Sequence, residues 1–231
     1  MIEIENVEVM GWEHAIRGMR NPMNSWDRSD SYPCMYSTNN VERCIDCIYH
    51  GNCNVSEKDM CGNYIIGPND HHLMLKLAKA GSVHAKYRRM ITVYVDITAP
   101  LYWWKEFDTY KVGAVANSCS TMHKITEKKF TLEDFSHEHL EADSLSVLQF
   151  TIDHLNRCRN AYLETKDKDH WWQMIQLLPS SYNQKRTVML NYEVLSNIYE
   201  YRRDHKLDEW CEFCEWIERL PYSEVITGGD E

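Results

Sequence analysis

Glycine and proline are scarce in this 231-residue chain, 9 and 6 residues respectively, which excludes long flexible linkers. No apolar run approaches the roughly 18 residues that a membrane-spanning helix needs. The opening Met1-Ile2-Glu3-Ile4-Glu5 lacks the basic and apolar regions of a signal peptide, so a soluble, cytoplasmic protein with no membrane partner is expected. Basic residues are outnumbered, Lys+Arg 25 against Asp+Glu 35, for a formal net charge of -10. That balance argues against nucleic acid as a partner, because duplex binding needs clustered cations to displace counterions. It leaves room for one basic pocket that takes a phosphate-bearing small molecule. Walker, G-x-G-x-x-G, G-x-S-x-G and H-E-x-x-H motifs are absent as well. What is there is 43% hydrophobic residues, enough for one sizeable core or two small ones.

The 9 cysteines are unevenly placed. Cys34, Cys44, Cys47, Cys53 and Cys61 fall in a short polar stretch, and Cys119, Cys158, Cys211 and Cys214 are scattered. An odd count without a signal peptide speaks against a disulfide framework. Cys44-x-x-Cys47 has the spacing of a metal knuckle, and a polar segment with little apolar surface gains most from a metal clip. The expectation is one zinc ion on Cys34, Cys44, Cys47 and Cys53, with Cys61 or His50 as alternative ligands. A loop of reduced cysteines is the competing reading. Cys211-x-x-Cys214 lies in an amphipathic helical pattern with Trp210, Phe213, Trp216 and Ile217, where core packing is the simpler reading.

The hydrophobic patterning predicts an α+β protein. Residues 2–9 alternate as a strand, followed by a short helix near Trp12–Met19. Asn69 or Asp70 is expected to cap a helix through Leu73, Leu75, Leu77 and Ala78, with Gly81 as its stop. Ile91–Thr98 is β-branched and alternating, and Pro100 opens a helix bearing Trp103, Trp104 and Phe107. From Ser144 onward the chain reads as helices: an apolar stripe of Leu145, Leu148, Ile152, Leu155 and Tyr162, then 168–178, 191–204 and 207–219. The expected organisation is a single domain over 1–231, a β-sheet core with a helical C-terminal half and a Cys-rich insert at 34–61.

Three polar clusters are candidate sites. Gly81–Arg89 places His84, Lys86, Arg88 and Arg89 just before a strand, either as an anion site or as a solvated loop. Trp103–Lys111 runs into Asn117–His123, with hydroxyls, an amide and a Lys suited to a phosphate or a flat heterocycle, or with its aromatics simply in the core. Within it, Cys119 and His123 have the residue types of a nucleophile and its base, or of a small thiol beside an unrelated His. Leu178–Thr187 is a polar stretch leading into a helix with Asn191, Asn197 and Arg202, six and then five residues apart, which spreads them over a broad face.

At these clusters the sequence resembles the flavin-dependent thymidylate synthase family. Leu178-Pro179, Asn191, Asn197 and Arg202 fall at that family's spacing, followed by an acidic and aromatic helix around Asp208-Glu209-Trp210. His84 matches its Gly-His element, and Ala99-Pro100 matches the Ala-Pro after its strand. The resemblance covers roughly residues 64 to 220. It implies FAD held by His84, Asn191 and Asn197, with Lys111 and Ser118 or Ser120 as phosphate contacts. It also implies Arg202 on the uracil ring and Glu106 near the substrate. Further implications are methylation of dUMP to dTMP with methylenetetrahydrofolate and NADPH, and a homotetramer. The chain departs from the family's Arg-His-Arg and Ser-x-Arg elements, where it carries Thr109-Tyr110-Lys111 and Cys119-x-Thr121. Glu193 replaces the Arg of Asn-x-Arg. A bidentate Arg exchanged for Thr loses a phosphate fork. Two alternatives therefore stay open: a related enzyme acting on another pyrimidine nucleotide, and a non-catalytic binding or assembly protein on the same fold.

Overall fold

A computed structural model of the chain describes residues 2–33 and 64–228. In chain order the strands are β1 (Glu3–Met10), β2 (Tyr32–Pro33), β3 (Tyr64–Ile65), β4 (Thr92–Pro100), β5 (Val115–Ser118) and β6 (Asn183–Asn191). The helices are α1 (Trp12–Arg20), α2 (Pro68–Lys79), α3 (Leu101–Phe107), α4 (Ala142–Thr165), α5 (Lys168–Leu177), α6 (Tyr192–Arg202), α7 (Asp208–Glu218) and α8 (Glu224–Thr227). The class is α+β, as expected. Four strands form one sheet in the order β1-β4-β6-β5, and β2 pairs antiparallel with β3 through Tyr32↔Ile65 and Pro33↔Tyr64. Among the described residues no helix is long and apolar enough to cross a membrane.

The contacts divide the chain into two compact units. The first comprises residues 1–5, 96–109 and 116–188. Its apolar core gathers Ile125, Phe130 and Phe135 against Leu148, Ile152, Leu155 and Cys158 of α4 and Met174 of α5. The expected stripe on α4 thus faces inward. Buried Asn156 fastens the 125–135 segment to α4: its Oδ1 accepts from Phe130 N–H and its Nδ2 donates to Phe130 O, both at 2.9 Å.

The second unit comprises 6–95, 110–115 and 189–231. Here Trp12, Met74, Ile91, Tyr192, Leu195, Trp210 and Phe213 are buried. The start of α2 differs from expectation. Pro68 takes the first helical position, which its fixed φ and missing N–H suit, so Gly67 is the N-cap. The orphan amides of Asn69 and Asp70 donate instead to the carboxylate of Asp30. Asp70 turns inward, fully buried, and pairs with Arg20. The helix then stops as expected, with Gly81 at φ +96.

Within the helical C-terminal half, residues 183–191, read from sequence as part of a polar stretch leading into a helix at 191, form strand β6. Its polar first half hides the alternation, because its charged and polar side chains are satisfied from distant segments. Lys185 pairs with Glu5, Thr187 donates to Asp96 at 2.6 Å, and Arg186 donates to Asp108 at 2.8 Å. The zinc expectation, resting on Cys34, Cys44, Cys47 and Cys53, lies outside the described residues. Among the described residues no group of three or more His, Cys, Asp or Glu side chains is placed to hold a metal.

Candidate functional site

Helix α6 organises the second unit's candidate residues. Asn191 caps it: its Oδ1 accepts from Glu193 N–H and Val194 N–H, both at 3.1 Å, which satisfies two of the orphan donors of a helix start. Its Nδ2 reaches the carbonyl of Gly113 at 3.5 Å. Gly113 sits at φ +85, and a Cβ there would stand 2.9 Å from that Nδ2, so this approach requires glycine.

Arg202, the last residue of α6, is half-buried. Its Nε donates to the hydroxyl of Tyr110 at 3.0 Å, and its Nη1 lies 2.9 Å from Nε2 of His205. The guanidinium carbon lies 4.8 Å from the ring centre of buried Trp210 and 5.8 Å from that of Tyr110, a cation–π arrangement. The two ends of α6 therefore hold the two ends of one short segment, Arg202 taking Tyr110 and Asn191 taking Gly113. Lys111 lies between these anchors with its side chain exposed.

The basic 81–89 segment is less available to an anion than its charge implies. Arg88 and Glu193 are both buried, with Arg88 Nη1 3.8 Å from Glu193 Oε2 and 3.2 Å from the Ser196 hydroxyl that accepts from it. Arg89 Nη2 lies 3.8 Å from the other Glu193 oxygen. Neither Arg88 Nε nor Glu193 Oε2 has a hydrogen-bond partner among the described residues. Burial pushes the neighbouring Tyr87 phenol up to about 12, and its hydroxyl donates to Met74 O at 2.8 Å. His84, Lys86 and Asn197 are exposed.

In the first unit, Glu106 is half-buried on α3 and Ser118 is exposed on β5. The Ser120 hydroxyl accepts from the N–H groups of Met122 and His123, so it closes a turn. Cys119 is exposed, and no hydrogen bond joins it to His123 among the described residues. Cys211 and Cys214 pack on α7 as expected, and burial raises the Cys214 thiol to about 12. Sequence reasoning missed Arg186, whose guanidinium stacks 4.2 Å over Trp104 while donating to Gln184 Oε1 at 3.0 Å and to Asp108. It also missed His205, for which the three-residue step from Arg202 was the available signal.

No family model matches the chain, and no curated protein does. Solved structures match it over nearly their whole length. Thymidylate synthase X from Helicobacter pylori with FAD and dUMP is 15% identical with a TM-score of 0.64, covering 97% of this chain and 96% of that chain. A second structure of the flavin-dependent thymidylate synthase from that organism, complexed with FAD and dUMP, gives a TM-score of 0.63 at 15% identity, covering 96% of each chain. The UMP/dUMP methylase PolB from Streptomyces cacaoi, bound with 5-Br dUMP, gives 0.56 at 11% identity, covering 98% of this chain and 95% of that chain. The chain has the fold of the flavin-dependent thymidylate synthases.

Proposed function

We propose that the chain binds FAD and a pyrimidine nucleotide and methylates dUMP to dTMP. The carbon would come from methylenetetrahydrofolate and the reducing equivalents from NADPH, in a cytoplasmic homotetramer. The observation that carries this reading is Arg202. A fixed, permanently charged planar group suits stabilising the negative charge that a uracil ring takes on as it becomes a nucleophile. The rings of Trp210 and Tyr110 hold that group in place.

The residues present also fit a flavin. Asn191 spends its oxygen on capping α6, but its Nδ2 has only a 3.5 Å contact with Gly113 O and can serve a second acceptor. Asn197 and His84 offer further neutral polar groups at the surface, and Lys111 a cation for phosphate. When bound, FAD supplies the hydride chemistry, while the protein supplies position and electrostatics. Ser118 and Glu106 are proposed as nucleotide contacts on the strength of the resemblance. Ser120 is proposed with them, although its hydroxyl already accepts two backbone donors.

The test is an absorption spectrum of purified protein followed by calorimetric titration with dUMP. Flavin bands are expected, and Arg202→Ala is expected to weaken nucleotide binding by about 1.5–3 kcal/mol with flavin content unchanged. No flavin bands, and none gained on incubation with FAD, would end the cofactor assignment. One observation favours a second reading. Glu193, at a position where the family carries Arg, is turned to Arg88 and Arg89, so that positive charge is lost to the ligand. A scaffold that binds nucleotide without converting it would give saturable dUMP binding and no dTMP.

A further inference from the structure

The segment that follows β5 is fixed by one side chain of β6. Buried Gln184 donates its Nε2 to the carbonyl of Cys119 at 2.7 Å and accepts at Oε1 from Nε of Arg186 at 3.0 Å. A carbonyl can only accept and a guanidinium can only donate, so these two neighbours decide which way round the amide sits. Arg186 is held in turn by Trp104, whose ring centre lies 4.2 Å from the guanidinium carbon, and by a 2.8 Å bond to Asp108. The indole N–H of fully buried Trp104 donates to the main-chain carbonyl of Gln184 at 2.8 Å, which ties the same ring to the strand that carries both residues.

The backbone of Cys119 is therefore held through both of its polar groups, its N–H donating to Lys185 O at 2.9 Å and its C=O accepting from Gln184. Ser120 comes next. Its hydroxyl oxygen accepts from Met122 N–H at 3.3 Å and from His123 N–H at 2.9 Å. The Met122 carbonyl accepts from Nε1 of Trp171 on α5 at 3.1 Å, which anchors the turn on its far side as well. A hydroxyl has two lone pairs and one proton. With both lone pairs given to backbone amides, Ser120 has only its proton to offer a ligand, and that makes it a donor for an acceptor oxygen.

We propose that Gln184 and Arg186 are positioning residues for the nucleotide: by fixing the Cys119 carbonyl they hold Ser120 where its O–H donates to a nucleotide oxygen. The proposal rests on the nucleotide-binding reading above and adds to it two residues of β6 that need not touch the ligand. Arg186 acts through the Gln184 amide, and Gln184 acts through the peptide that joins Cys119 to Ser120. Were the amide to turn over, its oxygen would face the Cys119 carbonyl, and two acceptors at that distance repel.

The test combines calorimetric titration of the full chain with dUMP, flavin absorbance and thermal unfolding. Ser120→Ala is expected to weaken dUMP about tenfold, the loss of one hydrogen bond to the ligand. Gln184→Glu keeps the size of the side chain and its acceptor for Arg186, but sets a carboxylate oxygen against the Cys119 carbonyl. It should weaken dUMP by a similar factor while flavin content and thermal midpoint stay near wild type. The double variant should be no weaker than either single one, because both changes remove the same contact. Arg186→Met, which frees the amide to turn, should weaken dUMP by a smaller factor, and Arg186→Lys, which returns a donor for Oε1, should recover it. Losses that multiply to about a hundredfold in the double variant would overturn the action through Ser120. An unchanged Kd in Gln184→Glu, or a loss of flavin and thermal stability in step with the loss of dUMP, would overturn the positioning role. Should Gln184→Glu fail to fold, the Arg186 pair decides, and equal dUMP affinity in Arg186→Met and wild type overturns it. Failure of the wild type to bind dUMP would overturn the nucleotide reading and this inference together.

Discussion

Two buried arginine–carboxylate pairs in the same unit are built to different standards. Arg20 and Asp70 have side chains 5% and 0% exposed, and both oxygens of the carboxylate accept hydrogen bonds. Asp70 also accepts from the hydroxyls of Ser29 and Ser31 and from the N–H groups of Asp30 and Ser31, while Arg20 donates to Ser25. Arg88 and Glu193 are almost as buried, 10% and 11% exposed, yet stand 3.8 Å apart, and each keeps an atom with no hydrogen bond. A buried ion pair contributes only when its remaining donors and acceptors are satisfied, because desolvation otherwise cancels the Coulomb gain. The first pair is therefore a fastener that ties α1, α2 and the 25–31 segment together. The second is a poor fastener, and it sits beside α6, the helix that carries the candidate ligand residues.

The contrast makes Asp70→Asn the most damaging of the matched substitutions. It leaves Arg20 charged and buried without its counter-ion, and about 3–5 kcal/mol of unfolding free energy should be lost in urea titrations. Glu193→Gln removes the analogous charge from the loose pair and should cost about 1 kcal/mol, since little hydrogen bonding is lost with it. Equal losses in the two variants would break the distinction. Asn191→Ala should also cost about 1 kcal/mol, as a lost N-cap. It should additionally loosen the Tyr110–Gly113 segment, which faster amide exchange there would reveal.

Acid titration sharpens the same comparison. Burial on its own would raise the Asp70 pKa, but hydrogen bonds from Ser31, Ser29 and Arg20, with the Arg20 charge, outweigh it and hold the carboxyl below its ordinary value. A carboxyl with a depressed folded pKa contributes stability that is fully present above its unfolded value, about 3.9, and is lost as pH falls through the folded pKa. Wild type should therefore lose stability steeply below about pH 4, and Asp70→Asn should flatten that limb. An acid limb of unchanged steepness in the variant would assign the acid sensitivity to other carboxylates.

Local pattern carried the elements whose signals are self-contained. The alternation in β1 and β4 is written in neighbouring side chains, as is the inward stripe of α4, because burial on one face leaves a period of two or of about 3.6 in the chain itself. Strand β6 defied that reading: Lys185, Arg186 and Thr187 look like a loop until Glu5, Asp108 and Asp96 are seen to satisfy them. Asp70 looked like a helix cap because its type and position fit one, and the buried Arg20 that claims it is absent from any local window.

Composition and patterning were thus enough to establish an α+β chain, and they left three polar clusters as candidate sites, one of them carrying Asn191, Asn197 and Arg202. What those residues touch was settled by tertiary structure alone. Arg202 meets Tyr110 across 92 positions and Arg20 meets Asp70 across 50. A sequence states which groups are available, but the desolvation and hydrogen bonding that decide whether an arginine becomes a fastener or a ligand donor arise only when distant segments are brought together.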